Sequence, residues 1–208
     1  MTDPEALTDW LSTNLPQLEG AANEKLFRYM DLLREESARS GVISRNDAAR
    51  IGMRHIRECL APELLDLVRN KTVLDIGSGG GLPGIPLALA LPGLRVTLLE
   101  PRERRAVFLE RVLIQLGVQG VRVVEGTIQE AGQEPVTETW ELATARGVGW
   151  TQKMGRALER VLAPEGLLVR FGSPQSSAPG VRTIPIDATN PRALHVWPRE
   201  AWSKLSPG

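Results

Sequence analysis

Three glycines at positions 77, 79 and 81, preceded by Asp75 and followed by Pro83, are the first residues in this chain whose types and spacing could do chemistry. Glycine lets the backbone turn tightly between a strand and a helix, and lets a ligand approach where a side chain would block it. A dinucleotide-binding loop spaces its glycines as G-x-G-x-x-G, without an acid two residues ahead of the first. Here the order is Asp75-Ile-Gly77-Ser78-Gly79-Gly-Gly81-Leu82-Pro83, and the phosphate-cradling spacing is lost. The pattern favours S-adenosylmethionine over NAD, because that cofactor has no phosphates and carries an ammonium that Asp75 can meet directly or through water.

Glu100 stands 25 positions after Asp75, at the expected end of the next strand, where a carboxylate can accept both ribose hydroxyls. A capping acid for the helix that follows Pro101 is the other reading, and the Asp75 and glycine context favours the ribose. Ile128, Gln129 and Glu130 follow the third strand, where an adenine edge would lie, though an ordinary surface loop would have the same composition. Arg146 follows a fourth strand and can hold a substrate phosphate or carboxylate, or simply form a surface ion pair. Arg102, Arg104, Arg105 and Arg111 lie on one helix, whose Val107, Phe108, Val112 and Leu116 are expected to pack inward. A solvated face accounts for the series in general, but Arg104 and Arg105 sit near the helix start, where positive charge opposes the dipole. His55 lies on an earlier helix, where a packed or hydrogen-bonded histidine is the commoner outcome. Two histidines and one cysteine are too few for a triad or a metal cluster, so no metal is expected.

The elements that must position these residues fall into two stretches. Residues 1–69 form an N-terminal helical extension: Asp3 as cap with Pro4 in the first turn, a second helix ending at Gly41, and a third pattern from Asn46 to Leu60 broken by Pro62. The stripe of the second helix is Leu26, Phe27, Met30 and Leu33. Residues 70–208 form the cofactor-binding core. Strands are expected at 72–76, 95–99, 121–124, 141–145 and 167–171, with helices at 82–91, 102–116 and 151–162 between them. This alternation implies an α/β, doubly wound, mostly parallel sheet with ligands beyond the carboxyl ends of its central strands. Two further β-like stretches, 181–186 and 193–197, are expected to add an antiparallel hairpin, and the tail after Trp202 to fray.

Composition sets few limits. Lys+Arg 25 against Asp+Glu 25 leaves no net charge, so any affinity for nucleic acid must come from a local patch. The cations are nearly all arginine, which suits bidentate phosphate binding but also follows from codon preference in a GC-rich genome. Cys59 is the single cysteine, and neither a leader nor a membrane span is expected. A soluble, cytoplasmic, monomeric protein is the expectation.

Leu74-Asp-Ile-Gly-Ser-Gly-Gly-Gly-Leu-Pro-Gly-Ile-Pro86 resembles the signature of the bacterial small-subunit rRNA methyltransferase G family, also called glucose-inhibited division protein B. The Pro83 to Pro86 continuation is far more selective than the glycines. His55-Ile-Arg-Glu-Cys-Leu60 is similar to the family's histidine-led motif ending in Asp-Ser-Leu. Arg104-Arg105-Ala-Val-Phe-Leu109 is similar to its basic pair followed by Phe-Leu, and Ala145-Arg146 to its Arg-Ala loop. The resemblance implies a class I methyltransferase (Rossmann-like) fold with a seven-stranded sheet, and S-adenosylmethionine as cofactor, leaving as S-adenosylhomocysteine. It implies methylation of guanine N7 in 16S rRNA, as naked RNA or within the small ribosomal subunit.

The implied cofactor contacts are Asp75, Gly77, Ser78, Gly79, Gly81, Leu82, Pro83, Glu100, Pro101, Thr127, Ile128, Gln129 and Arg146. His55, Arg104, Arg105 and Arg146 fall to the substrate, with Arg146 also the catalytic candidate. Guanine N7 loses no proton on methylation, so no general base is required and positioning suffices. The departures lie on the substrate side. Gly41-Val-Ile43 replaces Asn-Leu-Thr, the preceding Trp-Asn is absent from Glu36 to Arg39, Phe171 replaces a lysine, and Arg146-Gly-Val-Gly149 replaces Arg-Ala-Phe-Ala. They leave open another methyl acceptor, or cofactor binding without transfer.

Overall fold

The computed structural model describes all residues except 19, 132–137, 175–178, 187–191 and 205–208. Strands β1 (Thr72–Ile76), β2 (Arg95–Glu100), β3 (Val121–Glu125), β4 (Trp140–Ala145) and β5 (Leu162–Gly172) run parallel, and β6 (Arg182–Pro185) and β7 (Ala193–Trp197) close one side. The order is β3-β2-β1-β4-β5-β7-β6, with β7 antiparallel to both β5 and β6. This is the expected fold class, hairpin included. The order reverses between β1 and β4, so the crevice at their carboxyl ends is the switch point where such sheets take ligands.

Both faces of the sheet are covered, and the alternation along each strand shows it. Val73, Val96, Leu98, Leu142 and Val169 pack with α1 (Asp3–Asn14), α2 (Ala21–Ser40), α6 (Gly84–Ala90) and α7 (Glu103–Leu116). Leu74, Ile76, Leu99, Ala143 and Leu168 face the other way, onto α9 (Gln152–Val161) with Trp150 and Trp202. Successive side chains leave a strand on opposite faces, so runs apolar at every position are what a doubly covered sheet needs.

Several expectations shift. Thr2, not Asp3, precedes α1, and its N–H donates to Glu5 Oε2 at 2.7 Å. Asp3 instead reaches across the extension, where its two oxygens accept from Gly52 N (2.8 Å) and Met53 N (2.9 Å). The third helical pattern, Asn46 to Leu60, is divided into α3 (Arg45–Ala48), a π-helical turn Gly52–Ile56 and α4 (Arg57–Cys59), and α5 (Pro62–Val68) follows it. Helix α6 starts at Gly84 rather than Leu82, and β5 starts at Leu162 rather than Leu167. On α7, Val107 is exposed; Phe108, Leu109, Val112 and Leu116 make the buried stripe. A 3₁₀ turn Arg199–Lys204 follows β7 and buries Ala201 and Trp202, while 205–208 lie outside the described residues. Among the described residues no helix is long and apolar enough to cross a membrane.

Asp3 holds two amide donors of the turn that carries His55. Asp3→Ala is expected to lower unfolding stability by about 1.5–3 kcal/mol, the range for hydrogen bonds to a charged group, as read from urea denaturation.

Candidate functional site

The glycine loop leaves β1 with Gly77, Gly79 and Gly81 at φ +66°, +58° and +94°, a region that side-chain-bearing residues rarely adopt. Three supports hold it. From β2, the Leu99 carbonyl accepts from Gly77 N (2.7 Å) and Ser78 N (3.1 Å), while Glu100 Oε2 accepts from Gly79 N (2.8 Å). From below, Asp75 accepts from Thr144 Oγ1 (2.8 Å) and from Gly84 N at the start of α6 (3.2 Å). From the extension, the buried Tyr29 hydroxyl donates to the Gly80 carbonyl at 2.7 Å, and Leu33 crowds Gly80 so that a Cβ there would sit 2.6 Å from its Cδ1.

Above the loop lies a cleft of about 360 Å³. His55, Gly77, Ser78, Gly79, Leu82, Arg105 and Arg146 of the expected residues line it. Pro83 adjoins Leu82 and precedes α6. The remaining expected residues sit elsewhere. Asp75 is wholly buried beneath the loop, its carboxylate turned to Thr144 and Gly84 rather than to the cleft. Glu100, 2% exposed, uses its second oxygen to accept from Arg102 N at 3.1 Å, just ahead of α7, so backbone amides engage both of its oxygens. Pro101 and Arg104 are exposed, as is Arg102. Thr127 caps α8 (Ile128–Ala131), its N–H donating to Glu130 Oε2 at 2.6 Å; Ile128 is buried and Gln129 half-buried.

Arg146 is not a free cation at the strand end. Its Nη2 donates to Glu58 Oε2 at 2.9 Å, with the two side chains 12% and 6% exposed, and also meets His55 Nδ1. The guanidinium lies over the Phe171 ring, 5.9 Å from its centroid. An N–H from arginine requires Nδ1 of His55 to be the acceptor, which leaves the imidazole proton on Nε2. Burial, and then the Arg146 charge, lower the His55 pKa from its ordinary 6.5 to about 3. Burial pushes Asp75 up to about 6, against the bonds from Thr144 and Gly84 that pull it down. The Cys59 thiol, buried in the same cluster, rises to about 12 and is no nucleophile.

Sequence reasoning missed the cleft's other charged groups. Arg54 pairs with Asp47 at 2.6 Å, and Arg192 enters from the chain just before β7. It also missed Glu58 and Tyr29. Glu58 stands where the histidine-led motif carries its acid, which was the available signal. Tyr29 is the one tyrosine of the chain and sits beside the second helix's stripe, where a buried hydroxyl demands a partner.

Removing Glu58 strands a buried guanidinium. Glu58→Ala is expected to cost about 3–5 kcal/mol in guanidinium chloride unfolding, the usual range for breaking a buried pair. His55 takes a proton in the unfolded chain near pH 6.5 that the folded chain refuses until about pH 3. Its contribution to stability is therefore full above pH 6.5 and is lost as pH falls through that window. The His55 ring signals in NMR are expected to stay flat from about pH 8 to about pH 5; a midpoint near 6.5 would disprove the buried neutral state.

Residues 22–176 match the family model described as rRNA small subunit methyltransferase G. The Ribosomal RNA small subunit methyltransferase G of Frankia casuarinae is 38% identical over 155 residues, 74% of this chain and 58% of that protein. The protein of the same name from Corynebacterium diphtheriae is 32% identical over 172 residues, 76% of each. The chain thus spans a little over half the length of the Frankia relative. Among solved structures, a SAM dependent methyltransferase from Aquifex aeolicus superposes with a TM-score of 0.57 at 17% identity, over 76% of this chain and 96% of that one, a likeness of fold. With the family model covering most of its length, the chain belongs to the small-subunit rRNA methyltransferase G family.

Proposed function

We propose that the chain transfers a methyl group from S-adenosylmethionine to N7 of a guanine in 16S rRNA, with the small ribosomal subunit or its naked RNA as substrate. The observation that carries this reading is the family match over residues 22–176, which takes in the glycine loop and all of the cleft beside it except Arg192. The loop suits the cofactor's methionine part. Its glycines leave backbone where side chains would otherwise fill the space, and it carries no phosphate spacing. When bound, S-adenosylmethionine supplies an electrophilic methyl on a sulfonium.

The chain's own residues bind and orient. Glu100 and Pro101 would hold the ribose, Thr127, Ile128 and Gln129 the adenine, and Gly77 to Pro83 the methionine part. Asp75 acts through the loop by fixing Gly84 and Thr144. Arg146 is a positioning residue, because its charge is answered by Glu58 and its contact with His55 fixes that ring in the cleft wall. Arg54, Arg105 and Arg192 offer guanidinium groups to RNA phosphates around the target base. N7 keeps its lone pair available without losing a proton, which is why a neutral His55 and a cleft with no free base are compatible with the reaction.

Radiolabelled S-adenosylmethionine, small subunits and free 16S rRNA from a strain lacking its own enzyme give the direct test. Label at one guanine N7, mapped by chemical cleavage, is the expected result. Label on another acceptor, or none from a preparation that binds cofactor, would refute the assignment. Glu100→Ala is expected to weaken S-adenosylhomocysteine binding at least tenfold in calorimetry, since it removes a charged acceptor worth about 1.5–3 kcal/mol.

A further inference from the structure

A second cleft, of about 780 Å³, opens at the opposite end of the sheet, at the amino ends of β1 and β2. The turn carrying Arg69, Asn70 and Lys71 into β1 forms one wall, and the turn ending in Arg95 forms the other. Asn70 is held at φ +60°, the one non-glycine residue with positive φ among those described. Thr72 and Arg95 are register partners, so Lys71, just ahead of β1, and Arg95, the first residue of β2, stand at the starts of adjacent strands.

Little answers their charge. Among the described residues Lys71 and Arg95 form no ion pair, and the pair that Arg69 makes with Asp66 is long, 3.9 Å, and well exposed. The nearby Glu141 is turned to the Thr72 N–H (2.9 Å) and hydroxyl. Arg95 also lines an adjoining groove of about 250 Å³ with Arg122, which pairs with Glu138 and lies over Trp140. Arg95 thus links the two grooves, in an oblique row that runs from Lys71 just ahead of β1 through Arg95 to Arg122, the register partner of Thr97 two residues further along β2. A row of that kind suits a chain of phosphates better than a single anion.

We infer that this groove is a second contact for the RNA substrate, with Lys71 and Arg95 gripping backbone phosphates and Arg69 at its rim. The inference rests on the RNA-methylating reading above. Strand β1 separates the groove from the glycine loop by only about 17 Å, so one folded RNA can touch both ends of the sheet. Contacts of this kind fix the register of the substrate and carry no sequence information.

The test is the double variant Lys71→Ala/Arg95→Ala in the full chain, both side chains lying outside the core. Binding to 16S rRNA is measured at several salt concentrations. The expected result is about tenfold weaker binding and a salt slope shallower by about 1.4–1.8, the effect of two phosphates. KM for RNA rises, while kcat and S-adenosylhomocysteine affinity stay unchanged. An unchanged slope overturns the inference, as does a loss seen with assembled subunits but not with naked rRNA, which would make the partner a ribosomal protein. If the wild type binds RNA with the steeper slope yet methylates none, the proposed function falls and the groove assignment stands.

Discussion

The Arg146 guanidinium and the Glu58 carboxylate meet at 2.9 Å where neither has much access to water. Taking two charges out of water costs several kcal/mol each, and their attraction offsets this only if the geometry is good and the remaining polar atoms find partners. That requirement joins residues 88 positions apart, one on the extension and one at the carboxyl end of β4. The extension therefore cannot drift over the sheet without exposing a stranded charge. The π-helical turn Gly52–Ile56, anchored by Asp3, lies just ahead of Glu58 and delivers His55 to the same guanidinium. The cleft wall is a consequence of this pairing, because His55, Arg54 and Asp47 all lie on the segment that it fixes.

The glycine loop is held in a complementary way, from three directions at once. Glu100 and the Leu99 carbonyl bind its amides, Asp75 binds the helix start that follows, and Tyr29 binds the Gly80 carbonyl. A loop so constrained loses little further freedom when a ligand arrives, which is how preorganisation turns contacts into affinity. Tyr29 and Arg146 also tie the two supports together. The Arg146 charge acts on Tyr29, Cys59 and Asp75 alike, in each case against the effect of burial, so the cofactor loop and the cleft wall share one buried polar cluster.

Most of the sheet was legible in the sequence because its strands are short apolar runs, bounded by glycine, proline or charge and covered on both faces. Val73 and Leu74 face opposite layers and both are buried, so a continuous apolar run, with no alternation, is what marks the strand. The extension was less legible. A π-helical turn has no periodic signature of its own, and the apolar residues from Ala49 to Ile56 fit a single helix as well as the three short pieces that form. The site divided along the same line. Backbone geometry at Gly77, Gly79 and Gly81 follows from residue type, whereas the directions of Asp75 and Arg146 depend on partners far off in the chain. Thr144 and Glu58 are what decide them; Thr144 does not stand out by type or spacing, and Glu58 is marked only by its place in the histidine-led motif.

Phe171 brings the substrate-side departures into the same account. The family's lysine at this position would add a second cation beside Arg146, whose partner carboxylate, Glu58, is already committed. An aromatic ring there receives the face of the guanidinium instead, at 5.9 Å, and leaves the local charge balanced. Positive charge is then carried outward to Arg54, Arg105 and Arg192 around the cleft, and to Lys71 and Arg95 at the far end of the sheet. A chain with no net charge can meet a polyanion in this way, because the field at a surface depends on where its charges lie and not on their total.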